Sequence, residues 1–383
     1  MNRTEVQSSI APGTEGIQAH CQRVATWVRE LAGALGLSAS EAALVEQAAR
    51  YHHPGIEAEA EPVRRLLEVF WKRQPIADAA EARLVAALEI CDDFDQHFEA
   101  EALSPSPVVE TMMNYLQLSS RADVNRVINR LPVFPRAAQE IVLRVTNPEV
   151  RIGELVQVAS LDPVLAGLLV QAANSSYYGR GTPVATIQHA ISHIGFDATR
   201  KILLGATFRP IYSSPLLHSI WNHSLDVAQA AETLARRSSL AVDPAEAFLG
   251  GLVHDVGRVA FAIMPRAFLE RLRRLVDGGC ALVQSEVCLS GLSHAEVGAE
   301  TLTQWKFTDA MVDAVLWHHR PERSARALPS LLYLAEFMAG SQEDLPSSVR
   351  LKTACGHAGV KAEALSETNE KGREALQGLR FAA

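Results

Sequence analysis

The chain of 383 residues contains no C-x-x-C pair, no Gly-rich phosphate loop, no nucleophile elbow and no H-E-x-x-H motif. Dithiol redox chemistry, phosphate cradling by a loop, serine-hydrolase chemistry and zincin chemistry each lose their usual sequence marker. Its five cysteines, Cys21, Cys91, Cys280, Cys288 and Cys355, are dispersed and odd in number, which suits reduced thiols and no disulfide framework. Cations are not clustered either. Arg pairs such as Arg64-Arg65 and Arg273-Arg274 are scattered through a chain of formal charge -8, so no electrostatic footprint for nucleic acid is present. The opening "MNRTEVQSSIAPGTEG" lacks the apolar stretch of a secretion signal, and no uncharged run approaches bilayer-spanning length. The expectation is a cytoplasmic protein with no membrane and no nucleic-acid partner.

Alternating β-branched runs are scarce as well, which argues against a sheet. What fills the chain is helical periodicity, as in "VATWVRELAGALGL", "AAQEIVLRVT", "VLAGLLVQAAN" and "LDVAQAAETLARRSSL", and hydrophobic residues make up 48%. The expected fold is all-α, an irregular multi-helix bundle with a smaller N-terminal helical unit. Gly36, Asn147-Pro148 and Gly195 mark helix ends, while Asp162-Pro163 and Asp243-Pro244 read as an N-cap followed by proline at the first helical position. The Ser- and Pro-containing "EAEALSPSPVVE" marks a boundary, and "AGSQEDLPSS" closes the second region. The expected layout is a flexible N-terminus over 1–16, a helical unit over 17–100, a linker over 101–119, a larger domain over 120–340 and a tail over 341–383.

The larger domain carries polar groups inside apolar helices: His223 in "IWNHSLDVA", His254-Asp255 in "GLVHDVGR", His294 in "LSHAEVGAE", His318-His319 in "AVLWHHRPE" and Glu336 in "LLYLAEFMA". Desolvating such groups costs several kcal/mol unless each finds a partner. Imidazole and carboxylate suit divalent ions, and inward-facing clusters from several helices build such sites. A satisfied hydrogen-bonded knot is the alternative reading of the same residues.

The order His, His-Asp, His, His-His, acid resembles the HD superfamily of metal-dependent phosphohydrolases, particularly its HD-GYP branch. The segment "LPVFPRAAQEIVLRVTNPEVRIGELVQVASLDPVLAGLLVQAANSSYYG", followed by "PVATIQHAISHIGFDATRKILL", resembles the HDOD family, the HD-related output domains of bacterial signalling proteins, over about residues 120 to 340. The resemblance implies metal ligands at His223, His254, Asp255, His294, His318 and His319, with Glu336 in place of the terminal Asp and Asp255 as the bridging ligand. It implies one or two divalent ions, Fe, Mn or Zn. Two departures oppose turnover: Arg258 stands where active HD-GYP enzymes have Lys, and "RPERSARALPS" after His319 lacks Gly-Tyr-Pro. The implied function is a non-catalytic interaction or ligand-sensing module of a signalling protein. The alternative is a metal-dependent phosphohydrolase acting on a nucleotide or cyclic dinucleotide, in which Asp255, with Arg258 nearby, would serve catalysis. Expected partners are a signalling protein or a small nucleotide, with a homodimer as a further expectation.

The stretch from His20 to Gly55 resembles the first helices of an HD-GYP domain, but His52-His53 stands where His-Asp would, and Asp92 or Asp93 reads as the relic acid. A degenerate HD-like unit that packs against the larger domain is one expectation. An ordinary Ala-rich helical unit with an exposed His pair is the other. His189 and His193 share a helix face without an acid beside them, and Cys280 and Cys288 read as packing thiols.

Overall fold

The structure, a computed structural model, describes residues 14–53, 60–72, 78–99, 106–131, 134–179, 181, 183–340, 348–366, 376, 379 and 380. Residues 1–13 of the expected flexible terminus, 100 of the expected helical unit, 101–105 of the expected linker, and 341–347 of the closing polar stretch lie outside the described residues. Among the described residues every regular element is helical and no strand occurs, as the 3.6-residue periodicity predicts.

The chain forms two compact units. The first comprises residues 1–121 and 265–291, with helices Thr14–Leu31, Ala39–Arg50, Glu61–Lys72, Ala79–Glu99 and Pro107–Leu116 joined by Arg266–Asp277 and Leu282–Ser290. The second comprises residues 122–264 and 292–383. Residues 265–291 thus fold with the N-terminal unit although they interrupt the second unit in sequence. Arg271 ties its Nε to Glu30 at 2.8 Å, and the Thr26 hydroxyl donates to the Gly278 carbonyl at 2.9 Å. The stretch expected as linker contains the helix Pro107–Leu116, because Ser106 caps its start and Pro107 takes the first helical position.

The expected punctuation holds in the second unit. Asp162 Oδ1 accepts from the Val164 amide at 2.7 Å and Asp243 Oδ1 from the Ala245 amide at 2.8 Å. Gly195 ends Ile187–Ile194 at φ 91°, a conformation that favours glycine. The core of this unit is the pair His218–Ala235 and Pro244–Val253 with Ala327–Ala339 across it. Gly251 permits the close crossing of the first two: a Cβ there would stand 2.4 Å from the Cα of Ala228. Trp221, Phe248 and Leu252 are fully enclosed, each burial stabilising by about 1.5–3 kcal/mol. From the C-terminal segment, Leu376 and Leu379 are also buried, and the Trp221 indole N–H donates to the Leu379 carbonyl at 2.8 Å.

Candidate metal centre

The last carbonyls of a helix have no intrahelical partner, and two of the candidate histidines use them. His254 is the first residue beyond Pro244–Val253, and its Nδ1 donates to the Gly251 carbonyl at 2.8 Å. His318 stands just beyond Asp309–Leu316, and its Nδ1 donates to the Val315 carbonyl at 2.6 Å. A carbonyl only accepts, so each Nδ1 carries its hydrogen and each Nε2 is left to the interior. His294 opens the helix His294–Gln304, fixed by a capping box in which the Ser293 amide donates to Glu296 Oε2 at 2.8 Å. That helix lies hard against the turn after His254-Asp255: a Cβ on Gly257 would stand 2.0 Å from the His294 carbonyl oxygen.

The side chains form two trios. Glu336 Oε1, from Ala327–Ala339, is 3.1 Å from His223 Nε2 and 2.5 Å from His254 Nε2. His319 Nε2 is 2.8 Å from His294 Nε2, and the His318 and His319 ring centroids are 4.0 Å apart. Within His223–His254–Glu336, and within His294–His318–His319, one donor atom from each residue lies within 4.8 Å of the others. Asp255 turns one oxygen to each trio: Oδ2 is 3.6 Å from His254 Nε2, and Oδ1 is 3.4 Å from His294 Nε2. Arg258 donates to Asp255 Oδ2 at 2.8 Å. All seven expected residues, with Arg258, are therefore brought together, and the longer side chain of Glu336 still reaches the cluster.

Charge and protons are unevenly placed. Burial opposes protonation of His254, but Asp255 and Glu336 outweigh it and raise its pKa. Burial holds His318 well below the usual imidazole range, reinforced by His319, His254 and His294. Burial would raise Glu336, yet His254 and His223 hold it well below the usual carboxylate range. Asp255 is likewise held low against its burial, by Arg258, His254 and His294. Asp255 Oδ1 and His318 Nε2 make no hydrogen bond, and His254 Nε2 comes within 2.5 Å of Glu336 Oε1. Leaving each such atom unmet costs about 1–3 kcal/mol. The donor set and its unmet atoms thus fit divalent cations.

The residues that sequence reasoning missed act from the backbone. Nothing marks the Gly251 and Val315 carbonyls as histidine acceptors except their position three residues before a histidine at a helix end. The remaining candidates fall outside the centre. His189 is exposed, His193 Nε2 is engaged with the Tyr178 carbonyl at 2.7 Å, and Cys280 and Cys288 are buried free thiols whose pKa burial pushes up.

The HDOD domain profile matches residues 131–321. An uncharacterized protein of Treponema pallidum (strain Nichols) is 24% identical over 203 residues, which are 50% of this chain and 38% of that protein, so the chain spans well under half of that relative. A crystal structure of an HDOD domain protein of unknown function from Geobacter sulfurreducens superposes with a TM-score of 0.54 at 24% identity, covering 71% of this chain and 94% of that one. A candidate phosphohydrolase from Shewanella amazonensis SB2B superposes with a TM-score of 0.53 at 25% identity, covering 67% and 97%. Residues 131–321 of this all-helical chain belong to the HDOD domain family.

Proposed function

We propose that this protein is a regulatory signalling protein whose HDOD domain binds divalent metal at the His/Asp centre and acts through the helices the centre ties together, without turnover. The observation that carries this reading is the enclosure of the donor set. His254, Asp255, His294 and His318 are at most 1% exposed, and the partly open edge is at His223 and Arg258, whose side chains are 20% and 21% exposed. His223, His254 and Glu336 would hold one ion, and His294, His318 and His319 a second, with Asp255 between them. Bound ions there would supply Lewis acidity and lower the pKa of coordinated water. The chain's own residues do the rest. Gly251 and Val315 orient two imidazoles, and Arg258 occupies Asp255 Oδ2, neutralising its charge. Helices His218–Ala235, Pro244–Val253, His294–Gln304, Asp309–Leu316 and Ala327–Ala339 each contribute or adjoin a donor. Occupancy therefore stiffens five elements together, a route by which a ligand-dependent change reaches a partner surface.

A second reading, a metal-dependent phosphohydrolase acting on a nucleotide or cyclic dinucleotide, is favoured by one observation: the two trios flank a shared carboxylate, the layout two-metal hydrolysis uses. The description of the Shewanella amazonensis SB2B protein as a candidate phosphohydrolase adds to it. Elemental analysis of the purified chain, followed by a phosphodiesterase assay on cyclic dinucleotides in the metal-loaded state, separates the two. Metal without turnover supports regulation. Turnover that is lost in His254→Ala supports hydrolysis and overturns the first reading.

A further inference from the structure

The first unit contains a second set of converging ligands, which the HDOD match does not cover. His20 lies in Thr14–Leu31, His52 just past Ala39–Arg50, and Asp92 in Ala79–Glu99. All three are buried. Their donor atoms form a small triangle: His20 Nε2 to His52 Nε2 is 3.2 Å, His20 Nε2 to Asp92 Oδ1 is 3.1 Å, and His52 Nε2 to Asp92 Oδ1 is 3.4 Å. A first-row ion with bonds of about 2.0–2.2 Å keeps neighbouring ligand atoms about 3.0–3.5 Å apart.

The hydrogen bonds behind the two imidazoles aim the donor atoms of that triangle at one point. His52 Nδ1 donates to the Ala49 carbonyl at 2.5 Å, using a helix-end carbonyl three residues back as His254 and His318 do. His20 Nδ1 donates to Asp95 Oδ2 at 2.8 Å. With both Nδ1 atoms committed as donors, both Nε2 atoms and one Asp92 oxygen converge on one point, where either imidazole protons donated to Asp92 or a cation held by two neutral rings and the carboxylate satisfies all three. Asp95 is already neutralised: Arg23 grips both its oxygens at 2.9 Å, and the Trp27 indole donates to Oδ1 at 3.0 Å. Asp92 has no such guanidinium among the described residues and is met by the two imidazoles. Asp95 instead fills the role of a carboxylate that orients a metal-bound histidine from behind.

The arrangement repeats one trio of the second unit. His52 follows His20 by 32 residues and His254 follows His223 by 31, and in each case an acid from a later helix completes the set. Asp255, between the two trios of the second unit, has His53 as its counterpart, so a shared bridging carboxylate is missing. From this geometry we infer that the N-terminal unit binds one divalent transition-metal ion, of the zinc type, through His20, His52 and Asp92. The site is enclosed, with all three ligands at most 7% exposed, and has a single trio. His53, whose ring centroid is 5.7 Å from those of both His20 and His52, stands beside the position left for a fourth ligand.

Burial opposes protonation of His20 and His52, but Asp92 outweighs it and both pKa values rise to about 9, so protons on these rings would fill the same triangle, and the experiment separates proton from metal. The full-length chain carrying His254→Ala and His318→Ala, one change in each trio of the HDOD centre, is stripped with chelator and dialysed against Co(II) alone. One retained equivalent with visible d–d absorption is expected, and adding Asp92→Asn should weaken retention at least tenfold. If Asp92→Asn unfolds, the parent still decides: two far-downfield exchangeable proton resonances are expected from the Co(II)-bound His20 and His52 Nδ1–H groups. No retained Co(II), retention unchanged by Asp92→Asn in folded protein, or absence of those resonances would each overturn the inference. Because the HDOD centre is disabled in this parent, failure here leaves the reading of that centre untouched, and the reverse also holds.

Discussion

Gly257 and His294 meet backbone to backbone: a Cβ built on Gly257 would stand 2.0 Å from the His294 carbonyl oxygen and 2.6 Å from the Gly298 nitrogen. This contact seats the helix that carries His294 against the turn that carries His254 and Asp255. Neither neighbour is a flexible side chain, so the clash cannot be relieved by a rotamer change. Gly257→Ala is expected to destabilise the second unit by about 3 kcal/mol or more, read by urea denaturation, and to lower metal retention with it. Gly167→Ala is the control. Gly167 sits inside Pro163–Ala173 with open space where a Cβ would go, and a gain of about 0.5–1 kcal/mol is expected.

Glu336 is the acid shared by His223 and His254. Glu336→Gln keeps the shape and removes the charge, so metal affinity at that trio should fall at least about tenfold, which is about 1.4 kcal/mol. Glu336→Asp retains charge but withdraws the carboxylate by one methylene and should fall between wild type and Gln. Competition titration against a chromophoric chelator orders the three.

Chelation should expose the contribution of the bound ions to stability. A ligand present at a hundred times its Kd stabilises by about 2.7 kcal/mol. Removing metal from the full chain should therefore lower its melting temperature by several degrees, reversibly on adding metal back, and the His254→Ala, His318→Ala chain should show a smaller response.

The C-terminal segment is part of the fold. Leu379 is buried against Gly205 and offers its carbonyl to Trp221, and Arg380 pairs with Asp226 at 2.5 Å. Leu379→Ala should cost about 2–4 kcal/mol, with a red shift of tryptophan fluorescence as Trp221 gains solvent.

Asn174 clamps the loop after Pro163–Ala173: its Nδ2 donates to the Val184 carbonyl at 2.7 Å and its Oδ1 accepts from the Val184 amide at 2.8 Å. Because the site is exposed, Asn174→Ala should cost only about 1 kcal/mol. Limited proteolysis between residues 175 and 186 should nevertheless accelerate clearly.

Helix identity was legible because apolar spacing and caps are local. Asp162-Pro163 and Asp243-Pro244 declare their helix starts within three residues, and the HD ligands declare themselves as polar groups in apolar runs. The partner of residues 265–291 was not legible, since "RAFLERLRRLVDGG" is an amphipathic pattern that any apolar surface could cover. The pairing with Glu30 and Thr26 is a tertiary choice between segments some 240 residues apart. The N-terminal trio was half legible. His20 and Asp92 stood out only as remnants of a motif, and the His pair could be read as exposed, whereas His52 is buried because the Ala49 carbonyl holds its ring inward. The Gly251 and Val315 carbonyls left no side-chain trace to read.

The central claim is that the HDOD centre holds divalent metal. Its most direct test is the metal-to-protein ratio of the full chain carrying Asp92→Asn, which disables the N-terminal trio, purified without chelator and measured by elemental analysis. At least one equivalent of transition metal is predicted, falling to background when His254→Ala and His318→Ala are added. A chain that holds no metal, and takes up none on dialysis against Mn(II), Fe(II) or Zn(II), would contradict the account.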